Sequence, residues 1–155
     1  MALEIERKFL VLNDSYKSMA SRSVRICQGY LNRDRERTVR VRIMGDKSYL
    51  TIKGVTKGSV REEFEYEIPL CDGMALMRMC GDDILDKCRW YVEYEGKCWE
   101  VDEFGGKLSG LVVAEIELES DGEEISFPVF IGREVTDDPR YYNSMLIDAS
   151  SAPLI

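Results

Sequence analysis

Glu4-Ile5-Glu6-Arg7-Lys8-Phe9 is the stretch that decides the fold, and it lies in a segment, residues 2–12, whose pattern predicts a β-strand. Side chains alternate across a strand, so Glu4, Glu6 and Lys8 share one face, while the other face carries the apolar residues Leu3, Ile5, Phe9 and Val11. Carboxylates two residues apart on a strand lie roughly 7 Å apart, close enough for both to reach one divalent cation or a close pair of cations. Lys8 can then hold an anion that the metal also contacts.

The same alternation continues through most of the chain, and it predicts eight strands joined by short turns. The predicted strands are residues 2–12, 23–32, 37–44, 48–54, 61–68, 84–94, a seventh around 99–102, and 111–119. Short helices are predicted within residues 13–20, from an Asp72 cap to about 80, and from Pro139 to about 147, the last against the apolar face of the sheet. The glycine-rich segment 105–110 fails the P-loop pattern and predicts a hairpin connection, and residues 149–155 are expected to fray.

Length and composition limit the classes of function. The 155 residues fit one domain spanning 1–155, and a formal net charge of −8 argues against binding to nucleic acid or to an anionic membrane. The chain has no histidine, and its five cysteines show no C-x-x-C spacing, so zinc sites and histidine-based triads are excluded. With no signal peptide and no long apolar run, we expect a soluble, cytoplasmic protein that is a monomer or a homodimer.

Eight strands with short turns predict a closed antiparallel β-barrel, mainly β within the α+β class, with a few short helices outside. Apolar faces meeting inside would give an ordinary packed barrel with its charges in solvent. We favour the inverse arrangement, a tunnel with a charged interior, because the polar faces are rich in arginine, whose planar fork suits phosphate oxygens. That face carries seven cations and seven acids: Lys8, Arg40, Arg42, Lys53, Arg61, Lys87 and Arg89, with Glu4, Glu6, Glu63, Glu65, Asp102, Glu115 and Glu117.

Such an interior suits a linear triphosphate, which carries about four negative charges at neutral pH. Five or more of its cations could bind the phosphates, while Glu4, Glu6, Glu115 and Glu117 hold Mg²⁺ or Mn²⁺, cations that prefer carboxylate oxygens. The metal would polarise the terminal phosphoryl group and activate a water for in-line attack. Without histidine, metal-bound hydroxide or a carboxylate must serve as the base.

The opening stretch resembles the E-x-E-x-K signature of the CYTH superfamily, the triphosphate tunnel metalloenzymes, and its form is most similar to that of the bacterial inorganic triphosphatases. Further matching segments follow in the order of that family: Gln28-Gly29-Tyr30-Leu31, Arg40-Val41-Arg42, Lys53-Gly54, Arg61 with Glu63 and Glu65, Lys87 with Arg89, Asp102, Gly110-Leu111, Ala114-Glu115-Ile116-Glu117-Leu118 and Tyr141-Tyr142-Asn143-Ser144.

The resemblance implies an eight-stranded tunnel that hydrolyses a triphosphate with the help of a metal. The implied metal ligands are Glu4, Glu6, Glu115 and Glu117, with Asp102 and Glu63 as further candidates. The implied phosphate-binding residues are Lys8, Arg40, Arg42, Lys53, Lys87 and Arg89, to which the charged face adds Arg61. Lys87 and Tyr30 would handle protons, so that the catalytic set comprises Lys87, Tyr30, Glu6 and Glu117.

Four interpretations remain open from the sequence. Inorganic tripolyphosphate is the expected substrate, with nucleoside triphosphates as a further one, because no added segment forms an obvious base-binding pocket. The same scaffold could carry an adenylyl cyclase or a thiamine triphosphatase. A non-catalytic polyphosphate-binding module and an ordinary barrel with solvated charges are the remaining two.

Overall fold

The computed structural model describes residues 3–149 and residue 153, and the strands follow the predicted alternation closely. The strands are β1 (Leu3–Val11), β2 (Arg22–Asn32), β3 (Thr38–Met44), β4 (Lys47–Lys53), β5 (Val60–Ile68), β6 (Ile84–Tyr94), β7 (Lys97–Phe104), β8 (Val112–Glu117) and β9 (Ile131–Glu134). The helices are α1 (Tyr16–Met19), α2 (Leu70–Met79) and α3 (Asn143–Leu146), with 3-10 turns at Gly106–Leu108 and Pro139–Tyr141.

Eight of the strands close into an antiparallel barrel, as predicted. Their order is β5-β4-β3-β2-β6-β7-β8-β1, and β1 returns to β5 through three pairs that include Glu4 opposite Arg61. Along its other edge β1 pairs with β8, with Glu6 opposite Glu117 and Lys8 opposite Glu115. The ninth strand, β9, extends the sheet beside the end of β1 and was not predicted.

The charged faces point into the barrel, which confirms the inverse arrangement and excludes a barrel with solvated charges. Several ionisable side chains are buried with at most 8% of their surface exposed: Lys8, Arg40, Lys87, Arg89, Asp102 and Glu115. Burying a charge is costly unless it is paired, so these groups must compensate one another or bind a ligand.

The apolar faces point outward and are covered by helices and by the chain segment before β9. Helix α2 packs Met77 and Cys80 over Val41. Gly73 permits this close approach, since a Cβ there would lie 2.4 Å from Ser48 Cβ. Around Trp99, cover comes from α1 and from the segment that contains Phe130. The cover is incomplete on the outer side of β4 and β5, where Ile52, Phe64 and Tyr66 are exposed.

The end of the chain closes part of one end of the barrel. Leu10 and Val113 continue the inward faces of Lys8 and Glu115, and they cluster with Tyr141, Leu146 and Ile147. The predicted helix from Pro139 to Ile147 is instead a 3-10 turn followed by the four-residue α3. Its expected position on the outer apolar face was wrong, because inward apolar residues at the barrel end offer it a better core.

The helix starts also differ from the prediction, as do some strand bounds: β7 (Lys97–Phe104) is longer than predicted and β8 (Val112–Glu117) is shorter. Helix α2 begins at Leu70 after Pro69, so Asp72 lies in the first turn and does not cap the helix. The residue capping α1 is Ser15, whose N–H donates to Asn13 Oδ1. Residue 2 of the predicted first strand, and most of the predicted frayed tail, lie outside the described residues. No helix among the described residues is long and apolar enough to span a membrane.

Candidate functional site

A charged cavity of about 280 Å³ opens beside the C-terminal segment at one end of the barrel. The predicted site residues that line it are Glu4, Glu6, Lys8, Tyr30, Arg40, Lys53 and Arg61. They come from β1 to β5, with alternate residues of each strand pointing inward. The cavity thus brings cations and carboxylates together around a space accessible to solvent.

Lys8 contacts both the segment that contains Tyr141 and strand β8. Its ammonium donates to the Tyr141 carbonyl at 3.0 Å and lies 3.4 Å from a Glu115 oxygen. Burial alone would lower the pKa of Lys8, but Glu115 and Glu6 more than offset this and raise it. Burial would likewise raise the pKa of Glu115, yet Lys8, Arg89 and Lys87 hold it at about 2. The pair is therefore fully charged at neutral pH.

Glu6 lacks such compensation. Burial, followed by the nearby carboxylates of Glu115 and Glu4, raises the pKa of Glu6 to about 8, although Lys53 and Lys8 act in the opposite direction. The pKa of Glu117, directly opposite on β8, is also raised, first by burial and then by Glu4. A group of carboxylates that repel one another favours protons or another cation.

Arg40, on β3, contributes a guanidinium to the cavity, and Arg42 follows it on the same face. Both guanidinium groups share Glu65, with N···O distances of 3.5 Å from Arg40 and 3.2 Å from Arg42. Burial and the neighbouring cations Arg40 and Arg89 lower the pKa of Arg42 to about 10. The buried Nε atoms of Arg40 and Arg42 have no hydrogen-bond partner in the described part of the chain. Buried donors without partners are costly, so both suit an anion.

Lys53 and Arg61 lie across from β1. The Lys53 ammonium is 3.3 Å from Glu4 and 3.6 Å from Glu63, while burial and Arg40 lower the pKa of Lys53. Arg61 donates to the carbonyl of Gly54 at 2.6 Å, which fixes its guanidinium by a backbone contact.

A second charged region, next to the cavity, is buried, and its charges are paired within the protein. Asp102 accepts two hydrogen bonds from Arg89, at 2.7 and 2.9 Å. Its Oδ2 also lies 2.7 Å from Lys87 Nζ, an ion contact without good hydrogen-bond angles. Burial would raise the pKa of Asp102, but Arg89 and Lys87 hold it well below its usual range. Burial, only partly offset by Asp102, lowers the pKa of Lys87 to about 8.

Tyr30 lines the cavity, but its hydroxyl contacts Gln28, which donates from Nε2 at 3.2 Å. Burial raises the pKa of Tyr30, although Arg40 and Lys8 favour the phenolate. No hydrogen bond joins Tyr30 to Lys87 among residues 3–149. Proton handling by this pair stays a prediction.

The inward acidic residues offer carboxylate oxygens that a metal ion could bind. No group of three acids converges in metal-binding geometry within the described ranges, where Lys53 contacts Glu4 and Lys8 contacts Glu115. The donor chemistry nevertheless fits a hard cation, because the raised pKa of Glu6 marks a carboxylate without a counter-ion. Moving either lysine onto a bound anion would release a second carboxylate.

The structure separates the predicted site residues into two groups. Those outside the lining of the cavity are Arg42, Glu63, Lys87, Arg89, Asp102, Glu115 and Glu117. Sequence reasoning missed several wall residues: Arg35, Thr38, Thr136, Tyr142, Asn143 and Ser144. Of these, Arg35 lies in the turn between β2 and β3, and turn residues show no periodicity that would reveal the direction of a side chain.

Comparison with known proteins agrees with this arrangement. The family described as CYTH domain matches residues 2–142. An inorganic triphosphatase from Acetivibrio thermocellus is 47% identical over 148 residues, covering 95% of this chain and 94% of the relative. An inorganic triphosphatase from Nitrosomonas europaea is 33% identical over 147 residues, covering 92% of this chain and 95% of the relative. The crystal structure of an inorganic triphosphatase matches with a TM-score of 0.66 and 31% identity over 99% of both chains. This chain belongs to the CYTH domain family.

Proposed function

We propose that this protein hydrolyses the terminal phosphate of inorganic tripolyphosphate inside its barrel, with a divalent metal ion, Mg²⁺ or Mn²⁺. The observation that carries the proposal is a single cavity that is lined both by cations and by Glu6, a carboxylate without an ion pair in the described chain. The inorganic triphosphatase relatives, similar along nearly their whole length, support the same reaction.

Lys8, Arg40 and Lys53 would bind and orient the phosphates. Each is buried or half-buried beside a carboxylate. An incoming polyanion would displace that carboxylate from its cation, and the released carboxylate could then bind a metal ion. The unpartnered Nε of Arg40 offers a donor that no protein group uses in the described chain. Because these cations lie largely inside the protein, their contacts with phosphates are stronger than they would be on an open surface.

Glu4, Glu6, Glu115 and Glu117 would hold the metal, which when bound supplies polarisation of the terminal phosphoryl group and a lower pKa for an attacking water. Glu6 would lose its proton as the cation binds, since its raised pKa leaves it largely protonated at neutral pH. Because the pKa of Lys87 is about 8, its neutral form becomes populated near that pH, which fits a proton-transfer role for this side chain.

The cytoplasm is the proposed location, supported by five free thiols at Cys27, Cys71, Cys80, Cys88 and Cys98.

The proposal is tested by phosphate release from tripolyphosphate, with Mg²⁺ and Mn²⁺ supplied separately. Wild-type protein should release orthophosphate, and Glu6→Gln should reduce kcat by at least about 100-fold, the scale of a lost catalytic contact. Glu62→Gln is the matched control, because Glu62 is exposed and lies outside the cavity lining.

Each other interpretation has its own outcome in the same assay. Cyclic AMP formed from ATP would identify a cyclase, and faster turnover of thiamine triphosphate would identify that substrate. Thermal stabilisation by tripolyphosphate without turnover under either metal would leave only a binding module.

A further inference from the structure

The cations of the barrel differ in whether the protein neutralises them. Six have a carboxylate oxygen within 4.0 Å, namely Lys8, Arg40, Arg42, Lys53, Lys87 and Arg89. Arg35 and Arg61 also line the cavity, yet neither forms an ion pair among the described residues. Positive charge without a carboxylate in ion-pair contact is therefore concentrated at these two guanidinium groups, and Glu4 and Glu6 act on Arg61 only from farther away.

Thr38 connects the two arginines. Arg61 Nη2 donates to Thr38 Oγ1 at 3.0 Å, and that hydroxyl donates to the Asp34 carbonyl, also at 3.0 Å. Asp34 immediately precedes Arg35. Because Thr38 is buried, with 3% of its surface exposed, this connection fixes the turn that carries Arg35 relative to Arg61.

The turn itself is ordered by its own side chains. The Asp34 N–H donates to Asn32 Oδ1 at 2.9 Å, and Asp34 Oδ1 accepts from the backbone of Glu36 at 2.9 Å. Its other arginines are occupied: Arg37 pairs with Asp34, and Arg33 pairs with Asp83 and Asp148. Of the three, Arg35 alone lines the cavity and lacks a carboxylate partner in the described chain.

We propose that Arg35 and Arg61 form a specificity subsite for the phosphate at the opposite end of the substrate from the one that is hydrolysed. This phosphate is unesterified in inorganic tripolyphosphate, so the subsite selects tripolyphosphate over nucleoside triphosphates. The inference rests on the proposed function and deepens it. A free terminal phosphate carries about −1.5 to −2 charges at pH 7. The corresponding phosphate of a nucleoside triphosphate is esterified, so it has one charge and one fewer free oxygen. Two guanidinium groups without protein counter-ions favour the end with more charge and more acceptors.

The test compares Arg35→Gln with Arg37→Gln, a control in the same turn whose side chain lies outside the cavity lining. Binding of tripolyphosphate and of ATP is measured by calorimetry without divalent metal, and kcat/KM for both is measured with Mg²⁺. For Arg35→Gln we expect tripolyphosphate affinity and kcat/KM to fall about tenfold, as for one lost charge-assisted contact, with ATP changed less than about twofold. Arg37→Gln should change neither.

Thr38→Val provides a second variant, because it keeps the shape of the side chain while removing the hydroxyl between Arg61 and Asp34. We expect it to reduce the preference for tripolyphosphate in the same direction, mainly through KM. A circular dichroism melt establishes that each variant folds.

Two outcomes overturn the subsite: equal losses for both ligands in Arg35→Gln, or no loss for either. Failure of the proposed function is distinguishable from these. If wild type binds tripolyphosphate without hydrolysing it, and Arg35→Gln weakens that binding selectively, the subsite stands and the hydrolase does not.

Discussion

Two acidic residues inside the same barrel have opposite electrostatic surroundings. Asp102 has Arg89 and Lys87 at 2.7 Å, and its pKa is well below the ordinary range. Glu6 has no ion pair of its own in the described chain, and burial beside other carboxylates raises its pKa to about 8. The first region is complete without a ligand, while the second has a carboxylate that needs a cation. The difference separates an acid that the protein already pairs with cations from an acid that is available to a metal ion.

Removing the acid of the completed cluster should have the largest effect on stability. Asp102→Asn would leave the buried Lys87 without an ion pair and Arg89 with Glu100 as its remaining partner in the described chain, so we expect the free energy of unfolding in urea to fall by about 3–5 kcal/mol. Glu134→Gln is the control, because its partner Arg7 and Glu134 itself are partly exposed. A loss for Asp102→Asn no larger than that of the control would show that the ion pairs of Asp102 contribute little to stability.

The pH dependence of unfolding should sharpen the contrast from the side of Glu6. The folded pKa of about 8 lies above the unfolded value of about 4.3, so the folded state binds more protons between these values. The stability that protonated Glu6 confers is present at low pH and is lost as the pH rises toward 8. Each kcal/mol lost should lower the Tm by roughly 2–4 °C.

Thermal melts of the metal-free protein from pH 5 to 8.5 check this expectation. Glu6→Gln should show a flatter profile than wild type over that window, while Glu62→Gln should follow wild type. Added Mg²⁺ should raise the Tm of wild type more at pH 8 than at pH 6. Parallel profiles for wild type and Glu6→Gln would show that Glu6 is not the group whose proton gives the pH dependence.

The smallest expected effect concerns the wall of the cavity. Arg33 contacts Asp148 at 2.8 Å and donates to the Ser144 carbonyl at 3.3 Å, which holds α3 beside the turn of Arg35. These contacts are partly exposed, so we expect Arg33→Gln to lower Tm by only about 1–3 °C. Hydrogen exchange should increase at residues 142–148 and stay unchanged in β6, whereas a uniform increase would show that Arg33 supports the whole barrel.

The alternation of residues along strands made much of this structure predictable. In β3 the charged and apolar residues separate cleanly, and in β1 only Arg7 and Leu10 depart from the alternation, so the inward face and the barrel followed from the sequence. β9 was missed because a four-residue strand is too short to establish a period. Arg35 was missed because its direction depends on hydrogen bonds of Asp34 and Thr38, which no local pattern encodes.

The partners of inward residues were also beyond sequence reasoning. Asp102 and Glu6 occupy equivalent inward positions on their strands, and alternation treats them alike. Which of them meets two cations depends on the register of β6 against β7, where Arg89 lies opposite Asp102. Registers are fixed by the closed barrel as a whole, so the sequence predicted a charged interior without assigning its pairs.

The contact between Lys8 and the carbonyl of Tyr141 has a consequence for how the protein is made. Strand β1 finds β8, β9 and Tyr141 only after more than 100 further residues have been synthesised. Pairings this distant in sequence form slowly, since a long loop must close before any contact rewards it. The charged cavity is therefore complete only after Tyr141 has been synthesised, and in a chain stalled before Tyr141 the Lys8 ammonium would lack this acceptor.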